Sequence, residues 1–310
     1  MIGRVRSGYG KIIIKRRALF FLFGMVASIV LALGAVYLGL HYKDRSIGRD
    51  SSMALDEWNA GNFERVHELS VKNVADRPLS SFWLVMNGLS SYQLAVAQIK
   101  QEDTFAHIDQ AIASLRKALI VGAGSMDSRA RYVLGKAYFR KGPQYADLAV
   151  ENLESASASG YEASDLHEHL GLAYATLGDY RASVVSFSKA LGTDPSDLLL
   201  LSIARSYLEL EEFDQAKQYL VRCAEESKDV TVSNQARLLL GASYRKAGMN
   251  EDAEKEYLAI VSRDPKNADA LFALGELYAE NGDTIKARAE WRKAIRIDPT
   301  HGPSRARLGI

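Results

Sequence analysis

The sequence predicts an all-α chain: an α-solenoid of about seven helical hairpins, preceded by an N-terminal transmembrane helix. Three observations predict it. A pattern of glycine, aromatic, alanine and proline recurs through the C-terminal half with a 34-residue period. Only 6 prolines are spread over 310 residues, so long helices meet few breaks. An uncharged run of 23 residues, Ala18 to Leu40, lies close to the N-terminus.

That run is long enough to cross a bilayer. At about 1.5 Å of rise per residue, a helix of this length exceeds the roughly 30 Å hydrocarbon core. Phe20, Phe21 and Phe23 sit near one end and Tyr37 and Tyr42 near the other, where aromatic rings favour the interface. A cleaved leader would have a shorter apolar stretch and small residues at its exit, whereas Val36-Tyr37-Leu38 is bulky. Residues 1–17 carry six basic residues and no acid; Lys43 and Arg45, with Asp44, follow the run. The positive-inside rule therefore expects a cytoplasmic N-terminus and an extracytoplasmic body, periplasmic if the cell is bacterial. Gly24, Ser28 and Ala32 share one helix face, which would support at most a weak homodimer through the membrane helix. The expected division is a basic tail (1–17), a membrane helix (18–40), a charged linker (41–50), a repeat solenoid (51–301) and a capping helix (302–310).

Residues 46–310 hold 31 basic and 37 acidic residues, a net charge of −6. A mildly acidic body excludes general nucleic-acid binding, which needs a basic face. The single cysteine, Cys223, excludes an intramolecular disulfide.

The repeats are clearest around three glycines. Gly275 is preceded by Leu274 and followed by Tyr278, Gly282, Ala287, Trp291, Ala294 and Pro299. Gly241 has Leu240, Tyr244, Gly248, Ala253, Tyr257, Ile260 and Pro265 at the same offsets, and Gly171 has Leu170, Tyr174, Gly178, Ser183, Phe187, Ala190 and Pro195. Four looser units complete the series in chain order. The first covers Ala54 to Pro78, with Gly61 and Phe63 at its turn. The second centres on Gly88, with about eleven residues inserted before Ala111, Leu115 and Ala118. The third centres on Gly135, with two extra residues near Pro143-Gln144. The fourth centres on Ala204, its turn is Glu211-Glu212-Phe213, and Cys223 falls at a small-residue packing position.

Each position has a physical reason. The first glycine and the alanines let two antiparallel helices approach closely, and the aromatic residues fill the space between hairpins. The second glycine supplies the left-handed conformation that ends the first helix. The proline stops the second helix. Gly302 to Ile310 then reads as a short helix covering the last exposed apolar face, as solenoid ends require.

At these positions the sequence resembles the tetratricopeptide repeat. The resemblance implies a right-handed superhelix whose first helices line a concave groove, and a protein that binds other proteins and has no cofactor. No chemistry-bearing motif competes with this. Gly10-Lys11 and Gly135-Lys136 lack the remaining residues of a phosphate-binding loop. His167 and His169 are two residues apart, so on a helix they point away from each other and cannot share one metal ion. No enzymatic activity, cofactor or metal is expected.

Counting from each hairpin's glycine, positions −6, −3, +1 and +4 should face the groove. The residues expected to contact a peptide or helix there are Phe82, Tyr92, Arg129, Tyr132, Lys136, Phe139, Leu201, Arg205, Leu208 and Arg245. The expected function is a membrane-anchored interaction scaffold of the cell envelope. A chaperone-like or ligand-binding periplasmic module, and a cytoplasm-facing adaptor in the reverse orientation, are the alternatives.

Overall fold

A computed structural model describes residues 48–97, 101–192 and 195–310. The basic tail and the expected membrane span lie outside the described residues. No helix among the described residues is long and apolar enough to cross a membrane. The described chain is entirely helical, apart from turns and two short 3₁₀ segments at 124–126 and 143–145.

The helices form seven antiparallel hairpins and a terminal helix. The hairpins are α1 (48–59) with α2 (Phe63–Asp76), α3 (Ser81–Ala97) with α4 (Gln101–Val121), and α5 (Asp127–Lys141) with α6 (Ala146–Ala158). Next come α7 (Leu166–Thr176) with α8 (Tyr180–Ala190) and α9 (Asp197–Glu209) with α10 (Phe213–Glu226). The last two are α11 (Val230–Lys246) with α12 (Asn250–Arg263) and α13 (Ala268–Glu280) with α14 (Thr284–Ile297). Helix α15 (Gly302–Leu308) packs on α14. Helices pack on their neighbours in sequence, so the stack is quasi-one-dimensional.

Residues 48–50, assigned to the linker, are already helical in α1. Ser51 Oγ donates to the Gly48 carbonyl at 3.1 Å, and Asn73 Nδ2 of α2 reaches Asp50 Oδ2 at 3.5 Å. Charge on these residues does not break a helix whose other face is packed.

Local chemistry sets the helix ends. Asp179, Ser196, Asn267 and Asp283 each accept a hydrogen bond from the backbone N–H three residues on, at 2.9–3.1 Å. Caps of this kind contribute about 1 kcal/mol apiece. The turns within the hairpins use Gly61, Gly178, Gly248 and Gly282 in the left-handed region, with φ between 72° and 82°. The fifth hairpin has Glu211 at φ 59° instead.

Within the hairpins a glycine on the first helix meets a large side chain on the second. A Cβ on Gly171 would lie 2.5 Å from the Phe187 ring, and one on Gly241 would lie 2.4 Å from Tyr257. A Cβ on Gly88 would lie 2.4 Å from Leu115 and one on Gly135 would lie 2.7 Å from Leu153, across the insertions read from the sequence. Phe187, Tyr257, Leu115 and Leu153 are all under 2% exposed. Burying each such side chain stabilises the hairpin by roughly 1.5–3 kcal/mol.

The core runs along the stack as successive clusters. Ala54, Val66, Leu69, Trp83 and Met86 join the first hairpin to α3. A larger cluster extends from α3 to α7, and another from α9 to α13. Phe187, Leu199 and Ile203 connect them across α8 and α9.

Candidate protein-binding groove

The first helices of successive hairpins pack directly on one another: α3 on α5, α5 on α7, α7 on α9, α9 on α11 and α11 on α13. Among the described residues the second helices make no comparably close approach to each other. In a curved stack the inner layer is the crowded one, so α3, α5, α7, α9, α11 and α13 line the concave side.

On α5 and α7 this layer carries a cluster of aromatic and charged groups. Lys136 Nζ donates to Asp165 Oδ2 at 2.6 Å and to the Tyr132 hydroxyl at 3.0 Å. The Tyr132 hydroxyl donates to Asp165 Oδ1. Lys136 Nζ also lies 4.9 Å from the centre of the Tyr132 ring and 5.7 Å from that of Tyr92. Tyr161 stands 5.1 Å from Tyr132, ring to ring, and His169 meets Phe139 edge-on at 6.3 Å. His169 Nδ1 bonds the Asp165 carbonyl at 2.9 Å and lies 3.5 Å from its carboxylate.

The electrostatics follow from these contacts. Burial by itself would raise the Asp165 pKa, but hydrogen bonds from Lys136 and Tyr132 hold it below the usual value. Burial pushes the Tyr132 hydroxyl up, and its bond to Asp165 adds to the shift. Burial lowers His169, whose imidazole is thereby kept neutral near pH 7. The cluster is thus a neutralised lysine and carboxylate walled by aromatic rings, with Tyr132, Lys136, Phe139, Asp165 and His169 all half-buried.

Of the residues expected in the groove, the structure brings Tyr132, Lys136 and Phe139 together. Arg129 stands apart, its guanidinium 4.9 Å over the Trp58 ring of α1. Phe82 packs edge-on against Trp83 at 4.9 Å. Arg205 is exposed and donates to Gln235 at 3.1 Å, and Arg245 pairs with Glu280. Leu208 lines a shallow cavity of about 270 Å³ with Glu211, Phe213, Ser243, Lys246 and Ala247, beside a hairpin turn.

Two expected groove residues are core residues. Leu201 is 2% exposed and Tyr92 5%. Leu201 belongs to the cluster running from α9 to α13, and the leucine run of α9 is apolar over too wide an arc for all of it to face the groove. Tyr92 lies on α3, which is buried along most of its length between α2, α4 and α5.

The offset rule missed His169 and Tyr161. Asp165 sits at a groove offset, six residues before Gly171, but offsets within one repeat do not link it to Lys136. A signal existed: the +1 position of one repeat meets the −6 position of the next, as in Lys136–Asp165 and Arg205–Gln235. Charged or amide residues spaced 29 or 30 apart at those two offsets would have flagged both links.

Burial, with Asp197 nearby, pushes the Cys223 thiol up to about 11, the reverse of an activated nucleophile. Among the described residues no group of three or more histidine, cysteine or acidic side chains is placed to hold a metal ion.

Comparison with known proteins agrees with this architecture. Two family models described as tetratricopeptide repeat match, one at residues 238–301 and the other at 164–197 and 199–229. The chain is 28% identical over 144 residues to the anaphase-promoting complex subunit CDC16 of Saccharomyces cerevisiae, covering 45% of this chain and 17% of that protein. It is 23% identical over 220 residues to the cellulose synthase operon protein C of Escherichia coli, covering 66% of this chain and 19% of that one. The chain therefore spans less than a fifth of the length of either relative. Among solved structures, the C-terminal part of a TPR repeat-containing protein from Cytophaga hutchinsonii shares the fold with a TM-score of 0.59 at 18% identity, covering 84% of this chain and 100% of that one. Pseudomonas aeruginosa pilF does so with a TM-score of 0.50 at 17% identity, covering 72% and 96%. Residues 164–197, 199–229 and 238–301 match models of the tetratricopeptide repeat, and the remaining described hairpins continue the same helical stack.

Proposed function

We propose that this protein is a scaffold tethered to the cell membrane, which holds a partner polypeptide against its concave face on the extracytoplasmic side. The observation that carries the binding part is the half-exposed cluster of Tyr132, Lys136, Phe139, Asp165 and His169 on α5 and α7. Aromatic faces beside a neutralised charge pair suit an extended peptide or an amphipathic helix: the rings supply contact area and the polar tips fix register. Further along, Arg205 and Arg245 rim the same inner layer, each already hydrogen-bonded to the next hairpin.

The tether rests on the uncharged run at residues 18–40 and the basic residues before it. Protease accessibility in intact spheroplasts tests the orientation, since an outward-facing solenoid is digested and an inward-facing one is protected. The groove is tested with a photo-crosslinking amino acid at position 132 or 139 in the full chain, compared with a position on α12. Tyr132→Ala and Phe139→Ala should cut partner capture while leaving the helical signal intact. Equal capture by the double variant would remove these residues from the binding surface.

A further inference from the structure

The last two helices, taken together, differ in charge from the rest of the repeat region taken together. Residues 284–310 contain seven basic residues and two acids, whereas residues 46–283 contain 24 basic and 35 acidic residues. An acidic solenoid thus ends in a basic cap. Part of that basic charge is matched locally: Lys286 pairs with Asp283 at 3.3 Å, Lys293 with Glu290 at 2.6 Å and Arg307 with Glu276 at 2.5 Å.

Arg288, Arg292 and Arg296 of α14 are exposed, and among the described residues none has an acid within ion-pair distance. At 100° per residue they fall, together with Ile285, within about 80° of arc, and they span about 17 Å of the helix. Ile285 is 83% exposed. The face that holds Ala287, Trp291 and Ala294 is turned inward and buried.

The earlier repeats serve as an internal control for this stripe. The same four positions are Glu251, Glu254, Leu258 and Ser262 in α12, and Asp214, Lys217, Val221 and Glu225 in α10. The fold therefore does not require arginine there. Three unmatched arginines at one-turn spacing beside a solvated isoleucine are a property of the seventh hairpin.

We propose that this stripe is a contact surface for an anionic lipid bilayer. The guanidinium groups would engage lipid phosphates, and Ile285 would enter the headgroup layer. The surface lies on the outer helix of its hairpin and offers a single large apolar side chain, Ile285, too little to seat a partner helix, because Ala287, Trp291 and Ala294 are buried on the other face. A flat anionic sheet asks for charge density and not for shape. The acidic remainder of the solenoid is repelled by the same sheet, so only the C-terminal end would rest on it.

The test uses the full chain carrying Ile285→Cys. Cys223 is fully buried, so an environment-sensitive label goes to position 285. The labelled chain is reconstituted into vesicles of neutral phosphatidylcholine, or of phosphatidylcholine with phosphatidylglycerol, each doped with bromolipid quencher. Any insertion of residues 18–40 is common to both vesicle types and does not report on position 285. We expect quenching in the anionic vesicles alone, weakened by salt. With Arg288→Gln, Arg292→Gln and Arg296→Gln combined, the contacting fraction relative to the free one should fall about a hundredfold, at about fivefold per arginine. These side chains have no partners in the fold, so the helical circular dichroism of the variant should not change. Quenching that is equal in the two vesicle types, or that survives the triple substitution, overturns the proposal. Contact that requires an added acidic polypeptide, with both vesicle types silent, assigns the stripe to a protein and overturns it as well.

Discussion

Gly275 and Trp291 are fitted to each other: a Cβ on Gly275 would lie 2.3 Å from Trp291 Nε1 and 3.1 Å from the Ala287 carbonyl. The indole packs against bare backbone, and α13 and α14 approach over that contact. Two effects oppose each other in Gly275→Ala. Alanine is the better helix former by about 1 kcal/mol, but overpacking costs about 1–3 kcal/mol. The clash involves a large buried ring and backbone, so destabilisation should win by about 1–2 kcal/mol in urea unfolding. In the fifth hairpin Ala204 stands at the glycine position, and Leu220 of the same core cluster stands sixteen residues on in place of an aromatic ring. Combining Gly275→Ala with Trp291→Leu should therefore cost less than the sum of the single changes.

Glu211→Gly should have the opposite sign. Glu211 holds φ 59° at a turn where four other hairpins use glycine. A side chain there costs about 1–2 kcal/mol. The ion pair that would be lost, Glu211–Lys246 at 3.0 Å, has both side chains 77% exposed and is worth little. The variant should be more stable by about 1 kcal/mol, read as a higher urea midpoint. A lower midpoint would mean that the Glu211 carboxylate is needed at the lip of the adjoining cavity.

Lys136 and Asp165 should couple favourably. The lysine side chain is 14% exposed and the aspartate 35%, so solvent screens the pair only in part. A double-mutant cycle with Lys136→Met and Asp165→Asn should give about 1 kcal/mol of coupling that shrinks with salt. Zero coupling would show that Tyr132 and the packing of α5 on α7 hold this part of the groove without the charges.

The N-terminal hairpin should loosen on acidification. The His67 ring of α2 stands 5.8 Å from His107 of α4 and 3.3 Å from the Ser91 hydroxyl of α3. Burial first, and the charge of His107 second, lower the His67 pKa from 6.5, while Glu68 pulls weakly the other way. The folded state then binds fewer protons than the unfolded chain as pH falls below 6.5. The stabilisation is complete above that pH and is lost as pH falls toward the folded pKa. Protection factors of the α2 amides, which correct for the intrinsic slowing of exchange at lower pH, should fall between pH 7 and 5, and His67→Gln should flatten that dependence. A response that is unchanged in the variant would place the sensitive group elsewhere, with His167 and His169 next, since burial lowers both.

The hairpins themselves were legible because their contacts are local. Gly171 with Phe187, Gly241 with Tyr257 and Gly275 with Trp291 are all sixteen residues apart, within one hairpin, so the partner can be found by counting. The same count located the insertions in the second and third units, where Leu115 and Leu153 still meet Gly88 and Gly135. The sequence alone thus determined the helical class, the pairing of helices and the positions of the turns. Exposure in the groove depends instead on how closely one hairpin leans on the next. Leu201 and Tyr92 occupy groove offsets yet are buried, and Lys136 meets its carboxylate on another hairpin. Only the stacked structure decided these outcomes, because they depend on the size and charge of side chains a whole repeat away, where no local spacing rule constrains the approach.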